Sequence, residues 1–157
     1  MHEPHKIIVE KLPRLLKEKY GARLVSIVLF GSVARGEATT TSDIDLLIIA
    51  EELPISSMDR TKEFLEVAHK IPEIYEHLIM VSAIIMTPKE VMRYPPILLD
   101  IVVDGQILYD KDGFFNKLRQ DLQGKLEKLG AKRVRMGKGW YWILKPDYKW
   151  GEVITIE

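Results

Sequence analysis

The sequence contains no cysteine, no long apolar run and no excess of charge of either sign. Without cysteine, disulfides and thiolate metal sites are excluded. A membrane-spanning helix needs about 18 consecutive apolar residues, and no segment of this chain approaches that length. Lysine and arginine together number 23, as do aspartate and glutamate, so no overall field attracts nucleic acid or a membrane surface. These absences predict an ordinary globular protein with no membrane role.

Histidine is also scarce, and only His2, His5, His69 and His77 occur. None shows the spacing of a metal site, and we expect His2 and His5 to be exposed and flexible. The first 11 residues lack the apolar stretch of a signal peptide. We therefore expect the protein to be cytoplasmic.

What the chain does contain is an alternation of helical and strand-like segments, with 46% hydrophobic residues over 157 positions. This alternation predicts an α/β (α+β) fold in which a mixed β-sheet carries helices mainly on one face. We predict a domain over 1–110, with a C-terminal helix and short β extension over 111–157 packed on the same domain. Predicted helices cover 5–20, 59–71, 95–103 and 113–129, and predicted strands cover 24–30, 43–50, 78–86 (as a central strand) and 105–109. We also expect Asp112 to cap the helix over 113–129, and Thr87 and Glu90 to form a capping box.

The segment 31–45 is the most informative part of the sequence. Gly31 and Ser32 open a turn after an apolar strand, and Asp43 and Asp45 lie one residue apart on the next strand. Side chains alternate along a strand, so the two carboxylates point to the same side. Such a pair repels unless a cation lies between its members, and oxygen ligands favour Mg²⁺. Asp43 and Asp45 are therefore the predicted catalytic residues and metal ligands.

The turn between the two strands predicts a phosphate site. A turn that opens a short helix presents free backbone N–H groups to an anion, and Ser32 adds a hydroxyl donor. Arg35 lies one helical turn further on, always charged and near enough to reach a terminal phosphate. Gly36 lets the chain leave the turn without a Cβ clash. Gly31, Ser32 and Arg35 are the predicted nucleotide-binding residues.

On these residues the chain resembles the minimal nucleotidyltransferases of the DNA polymerase beta superfamily, whose pattern is Gly-Ser, ten residues, then Asp-x-Asp. Gly31-Ser32 and Asp43-Ile44-Asp45 match both the residue types and the spacing. The resemblance implies that fold over 1–110 and transfer of AMP from ATP, or of another nucleoside monophosphate, to a hydroxyl with release of pyrophosphate. It also implies two Mg²⁺ ions bridging the triphosphate. Minimal members often pair with a small helical toxin-type RNase, and some adenylylate its tyrosine.

The resemblance also reveals a missing acid. Family members that transfer nucleotides usually carry a third carboxylate on the next strand, here 78–86, which holds no acid. Ser82 takes the aligned position, and serine is no base near neutral pH. Glu76, Asp100 or Asp104 remains open as a third acid, although Glu76 and Asp100 can equally be solvated and Asp104 a turn residue. If none serves, the site binds nucleotide but turns over slowly or not at all.

The C-terminal segment 131–150 combines basic and aromatic residues. It holds all three tryptophans of the chain, preceded by four cations with no acid among them. We expect Trp140 and Trp142 to pack on the domain and Val153–Ile156 to add an edge strand. Binding of a partner protein or self-association ranks second, because Trp, Tyr and Arg dominate interfaces, and nucleic-acid binding ranks last.

Two functions from different classes follow from these residues and the resemblance. The first is a Mg²⁺-dependent nucleotidyltransferase acting on a hydroxyl acceptor, with a toxin-type RNase as a possible partner. The second is a catalytically degenerate nucleotide-binding module that acts by binding a partner protein. The acceptor, the preferred base and a homo-oligomeric state stay open at this point.

Overall fold

The computed structural model describes residues 1–156. The chain divides into two compact units, Met1–Phe115 and Asn116–Glu157, called here the N-terminal and C-terminal units. No helix among the described residues is long and apolar enough to cross a bilayer. The boundary lies five residues beyond the one predicted from the sequence. Packing of the second unit on the first stays a prediction.

The N-terminal unit is built on a mixed four-stranded sheet, as predicted. The strands are β1 (Leu24–Phe30), β2 (Ile44–Ala50), β3 (Val81–Met86) and β4 (Gln106–Asp110). Strand β2 is antiparallel to β1 and parallel to β3, and β4 is antiparallel to β1, which gives the order β3-β2-β1-β4. The helices are α1 (Glu3–Tyr20), α2 (Gly31–Arg35), α3 (Ser57–Ala68), α4 (Pro72–Glu76), α5 (Pro88–Val91) and α6 (Ile97–Asp104).

The larger hydrophobic core lies on one face of this sheet. Leu46 and Ile48 of β2 are fully buried there, together with Ile8, Leu12 and Leu16 of α1. Because side chains alternate along a strand, Asp45 and Leu47 point to the opposite face. Val28 of β1 also points to that second face. Gly105, the residue that follows α6, lies against it, because a Cβ built on Gly105 would be 2.8 Å from Cγ1 of Val28. Helix α6 therefore ends on the second face. The sheet thus supports the predicted core on one face and the motif carboxylates on the other.

Two local predictions for the N-terminal unit were wrong. The apolar run 78–86 is not a central strand, because β3 begins only at Val81 and lies at the edge of the sheet. Asp112 does not cap the helix that follows it. The carboxylate of Asp110 instead accepts a hydrogen bond of 2.8 Å from the backbone N–H of Phe115. The capping box at Thr87 and Glu90 is confirmed.

The C-terminal unit contains a β-hairpin, whereas the sequence predicted only a short β extension with an edge strand near the end of the chain. Helix α7 (Phe114–Leu129) leads into it, and β5 (Lys132–Met136) pairs with β6 (Gly139–Ile143) in an antiparallel ladder. Residues 152–156 form no strand, so the predicted edge strand at Val153–Ile156 is wrong. On one face of the hairpin Arg133 and Arg135 stack against Trp140, 3.8 and 4.8 Å from its ring centroid. These stacked pairs stabilise a two-stranded ribbon that is otherwise only marginally stable.

Candidate functional site

The predicted phosphate turn is a single short helix between β1 and β2. Helix α2 begins at Gly31, and within the described chain no side chain caps its first N–H groups. It ends at Arg35, and the next residue, Gly36, adopts the left-handed conformation with φ of 73°. The N–H of Glu37 then donates to the carbonyl of Ser32 at 3.0 Å, and that of Gly36 donates to Val33. These bonds fix the C-terminal end of the helix and leave its N-terminal amides available to an anion.

Gly31 lies directly beneath the carboxylate of Asp45. Its φ is 73°, and a Cβ built on it would overlap Oδ2 of Asp45 and lie 3.2 Å from Cγ. Strand pairing brings the two together, because Phe30 of β1 pairs with Asp45 of β2. The glycine therefore serves two purposes: it allows the turn, and it leaves room for a carboxylate beside the start of α2.

Asp45 lies on β2 and Asp43 directly precedes that strand, so the alternation of side chains places both carboxylates on the side opposite Ile44. Their role as metal ligands stays a prediction. Ile44, between them, is fully buried, whereas Asp43 is exposed and Asp45 is half-buried. Partial burial and the charge of Asp43 raise the pKa of the Asp45 carboxyl above its ordinary value, and the guanidinium of Arg35 counteracts this in part. The negative charge of the pair is therefore only partly compensated, which favours a bound cation.

The donor set suits Mg²⁺ held jointly with a nucleotide. Residues 1–156 contain no group of three or more histidine and acidic side chains arranged to hold a metal ion. A magnesium ion in proteins is commonly bound by one or two carboxylates, with water and substrate phosphates completing six oxygens. Asp45 offers a carboxylate beside the open N-terminus of α2, and Asp43 offers a second one two residues earlier. This set fits a Mg²⁺–triphosphate complex better than a bare ion.

Arg35 is held in place by two acids. Its Nη1 donates to Asp104 of α6 at 3.2 Å, and its Nε donates to Glu37, also at 3.2 Å. The Asp104 side chain is only 9% exposed, so this ion pair is largely shielded from water. Nearby, the side-chain amide of Gln106 donates to the carbonyl of Ala34 at 2.6 Å. Helix α6 and strand β4 thus hold α2 and its arginine in place.

The position of a third acid beside Asp45 is filled by Ser82. The parallel ladder of β2 and β3 pairs these two residues, so their side chains point to the same face as neighbours. Of the alternative acids, Asp104 pairs with Arg35, Glu76 is exposed at the end of α4, and Asp100 is half-buried on α6. Participation of any of the three in catalysis stays a prediction.

His5 contributes to the site in a way that the sequence did not reveal. The expectation of an exposed, flexible residue was wrong, because His5 is fully buried. Its Nε2–H donates to the carbonyl of Ser42 at 2.7 Å, directly before Asp43. One turn earlier, His2 contacts the carbonyl of Ala38 at 3.1 Å. The first turn of α1 therefore anchors the loop that carries the first motif aspartate.

The same loop is ordered by its own side chains. The backbone N–H of Thr39 donates to the hydroxyl of Ser42 at 2.8 Å, and the N–H of Ser42 donates back to the carbonyl of Thr39. The N–H of Ile44 then donates to Met80, just before β3. Asp43 thus projects from a segment fixed on both sides, although its own side chain is exposed.

Comparison with known proteins gives one family and several relatives. The nucleotidyltransferase domain family matches residues 9–135. MJ1305 of Methanocaldococcus jannaschii, named as a protein adenylyltransferase, is 31% identical over 135 residues, which cover 85% of this chain and 90% of that protein. Protein adenylyltransferase MntA of Thermococcus cleftensis is 40% identical over 52 residues, 32% of this chain and 50% of that one. A solved structure from Sulfolobus solfataricus, described as a nucleotidyltransferase, is 19% identical with a TM-score of 0.48, covering 69% of this chain and 86% of that chain.

Proposed function

We propose that this chain, which belongs to the nucleotidyltransferase domain family, transfers AMP from ATP to a hydroxyl group of a partner protein. Family membership makes it a nucleotidyltransferase. The proposal adds the nucleotide, the metal and the acceptor. Its main support is the carboxylate of Asp45 beside Gly31 and the uncapped start of α2, with Asp43 two residues before Asp45.

In this proposal each motif residue has one task. The N-terminal amides of α2 and the Ser32 hydroxyl bind phosphate oxygens, and Arg35 offsets their charge. Asp43 and Asp45 would hold Mg²⁺, which when bound neutralises phosphate charge and orients the triphosphate. Asp104 and Glu37 keep Arg35 in position before the nucleotide arrives. Most of the work of the protein is thus positioning and charge compensation.

The transfer step is an exchange at the α-phosphorus. An acceptor oxygen forms a bond to this atom, the bond to the bridging oxygen breaks, and pyrophosphate leaves. With Ser82 at the position beside Asp45, the hydroxyl proton passes to water or phosphate rather than to a third carboxylate. We therefore expect slow turnover.

The acceptor class rests on the relatives and on the resemblance of the motif. MJ1305 and MntA are both named as protein adenylyltransferases. Minimal nucleotidyltransferases often pair with a helical toxin-type RNase, so such an RNase is the first acceptor to test, with a tyrosine hydroxyl as its reacting group. The roles proposed for the residues of this chain are the same whichever protein hydroxyl is the acceptor.

The test compares ATP labelled at two positions. The protein is incubated with Mg²⁺, the candidate RNase and ATP labelled at either the α- or the γ-phosphate, beside an Asp43→Ala, Asp45→Ala variant. We expect label in the RNase only from the α-phosphate and only with the unaltered protein. Label from the γ-phosphate, or equal label with the variant, would contradict nucleotidyl transfer through these two residues.

A second candidate function is nucleotide binding without transfer. Its support is Ser82, which leaves Asp45 without an acidic neighbour on β3. A Ser82→Asp variant separates the two candidates, with Ser82→Asn as the uncharged control. If the chain is a slow enzyme, the added carboxylate raises the transfer rate by about tenfold or more, because a general base contributes that much. If wild type and both variants bind ATP but transfer nothing to the RNase, the binding module is favoured.

A further inference from the structure

The C-terminal unit exposes six large apolar side chains within residues 116–156. On one face of the hairpin Met136, Tyr141 and Ile143 are 68%, 44% and 39% exposed. The register of β5 and β6 places these three on the same face, opposite the face where the arginines stack on Trp140. We call these three residues the hairpin face. Exposed apolar groups of this size, gathered on one face, are typical of a binding surface.

The loop that follows the hairpin presents two further aromatic side chains. Tyr148 is 47% exposed and Trp150 is 98% exposed. The loop is nevertheless ordered, because Glu152 pairs with Lys145 and accepts a hydrogen bond of 3.2 Å from the backbone N–H of Lys149. We call Tyr148 and Trp150 the aromatic loop. A fixed backbone that presents an exposed tryptophan lowers the entropy cost of binding a partner.

The charge of this region identifies the chemistry of its partner. Residues 128–146 contain six lysines and arginines and no acid. Lys132 and Lys138, at the edge and the turn of the hairpin, are exposed. A surface of this sign is complementary to an acidic partner and disfavours a basic one.

A protein fits these residues better than a nucleic acid does. Protein interfaces are enriched in Trp, Tyr, Met and Arg, which are the residues gathered here. Nucleic-acid surfaces combine cations with aromatic rings. Met136, Ile143 and the 82% exposed Val153 carry neither a cation for a phosphate nor a ring on which a base can stack.

We propose that the hairpin face and the aromatic loop bind an acidic segment of the protein acceptor. This inference rests on the proposed transfer to a protein hydroxyl and names the feature by which the acceptor is recognised. Binding there raises the concentration of the acceptor at the enzyme without adding contacts to the nucleotide. The active-site residues themselves then need only a low affinity for the acceptor.

The test uses a synthetic acidic probe and no ATP. A fluorescent random copolymer of glutamate and tyrosine is titrated with the full-length protein, and binding is followed by anisotropy. A copolymer of lysine and tyrosine serves as the probe of opposite charge. We expect binding of the acidic copolymer only, weakening as salt rises because exposed charges are screened.

Matched variants locate the binding surface. Trp150→Ala should weaken binding of the acidic copolymer by about tenfold, as is typical of an interface tryptophan. Leu78→Ala is the control, because Leu78 is 91% exposed in the N-terminal unit. A Lys132→Glu, Lys138→Glu variant should also lose affinity, whereas Lys70→Glu, Lys89→Glu, exposed in the N-terminal unit, should not.

The outcomes distinguish this proposal from the proposed function. No binding, equal binding of both copolymers, tighter binding of poly(U) RNA, or indifference to Trp150→Ala would overturn the acidic-protein surface. Each of these results leaves Mg²⁺-dependent ATP binding by the same preparation intact. Conversely, copolymer binding in a protein that does not bind ATP with Mg²⁺ would keep the surface and remove the proposed transfer.

Discussion

The two units of the chain differ in charge and in how they treat their side chains. The N-terminal unit carries 13 basic and 18 acidic residues, whereas the C-terminal unit carries 10 basic and 5 acidic residues. In the first unit the polar groups around the motif are anchored, as Arg35 and His5 illustrate. Both units expose large apolar side chains, but in the second they are denser, six within 116–156 against ten within 1–115, and Trp150 is 98% exposed. The difference teaches that a net charge of zero can conceal one acidic and one basic unit within the same chain.

The largest expected effect comes from adding one methyl group to the N-terminal unit. Gly31→Ala forces a Cβ against the Asp45 carboxylate, so we expect transfer activity to fall by about a hundredfold or more. Gly36→Ala is the matched control: its φ is also 73°, but no atom lies within 4 Å of the added Cβ. We expect Gly36→Ala to lose only about 1 kcal/mol of folding free energy through backbone strain, which urea unfolding would measure, and to keep its transfer activity. Equal losses of activity in the two variants would show that strain, and not contact with Asp45, matters.

The next effect concerns the anchoring of Arg35. Arg35→Lys removes the planar guanidinium, and we expect about tenfold or greater loss of transfer rate. Asp104→Asn should reduce the transfer rate by a smaller factor, because Glu37 still contacts Arg35. Steady-state rates over a range of ATP concentrations measure both variants. A larger loss for Asp104→Asn than for Arg35→Lys would indicate a direct catalytic role for Asp104, one of the three open third acids.

A smaller effect is expected from the anchor of the Asp43 loop. His5→Leu removes the hydrogen bond to Ser42, and we expect several-fold weaker Mg²⁺ dependence of ATP binding and a stability loss of about 1 kcal/mol. His5→Gln restores an N–H donor and should recover part of the affinity. His2→Leu, at the exposed contact with Ala38, is the milder control. If His5→Gln behaves like His5→Leu, the role of His5 is packing and not positioning.

The smallest effect runs in the opposite direction, toward greater stability. Burial and Asp43 raise the pKa of Asp45, so the ionised form is disfavoured in the folded state. The ionised Asp45 therefore lowers the free energy of unfolding at pH values above its pKa in the folded protein. This loss of stability vanishes as the pH falls below the ordinary pKa of an aspartate. Asp45→Asn should therefore raise the melting temperature at neutral pH without Mg²⁺, and the gain should disappear near pH 3. A gain that persists at low pH would need another cause.

The fold and the core of the site could be predicted from the sequence for a physical reason. Strong periodicity defines elements such as α1 and β2, and all five motif residues lie within one segment of 15 positions. Their mutual placement is set by one strand-turn-strand unit, so spacing alone brings Gly31 and Asp45 together. The register of β2 and β3 also places Ser82 beside Asp45.

The supporting contacts could not be predicted, because they join distant parts of the chain. His5 and Ser42 are 37 positions apart, and Arg35 and Asp104 are 69 apart. Only the packing of α1 and α6 on the sheet brings them together. The hairpin of β5 and β6 did leave a signal: Arg133 and Arg135 alternate at period two, as do Trp140 and Trp142, around a glycine-containing turn. The basic and aromatic composition masked that alternation.

We propose above all that Asp43 and Asp45 make ATP binding depend on Mg²⁺. Isothermal titration of ATP into the wild-type protein and into an Asp43→Asn, Asp45→Asn variant, each with Mg²⁺ or with EDTA, tests it directly. We predict that Mg²⁺ tightens binding to wild type by about tenfold or more and leaves the variant unchanged. Wild type that binds ATP equally with and without Mg²⁺, or a variant that keeps the full Mg²⁺ effect, would contradict the claim.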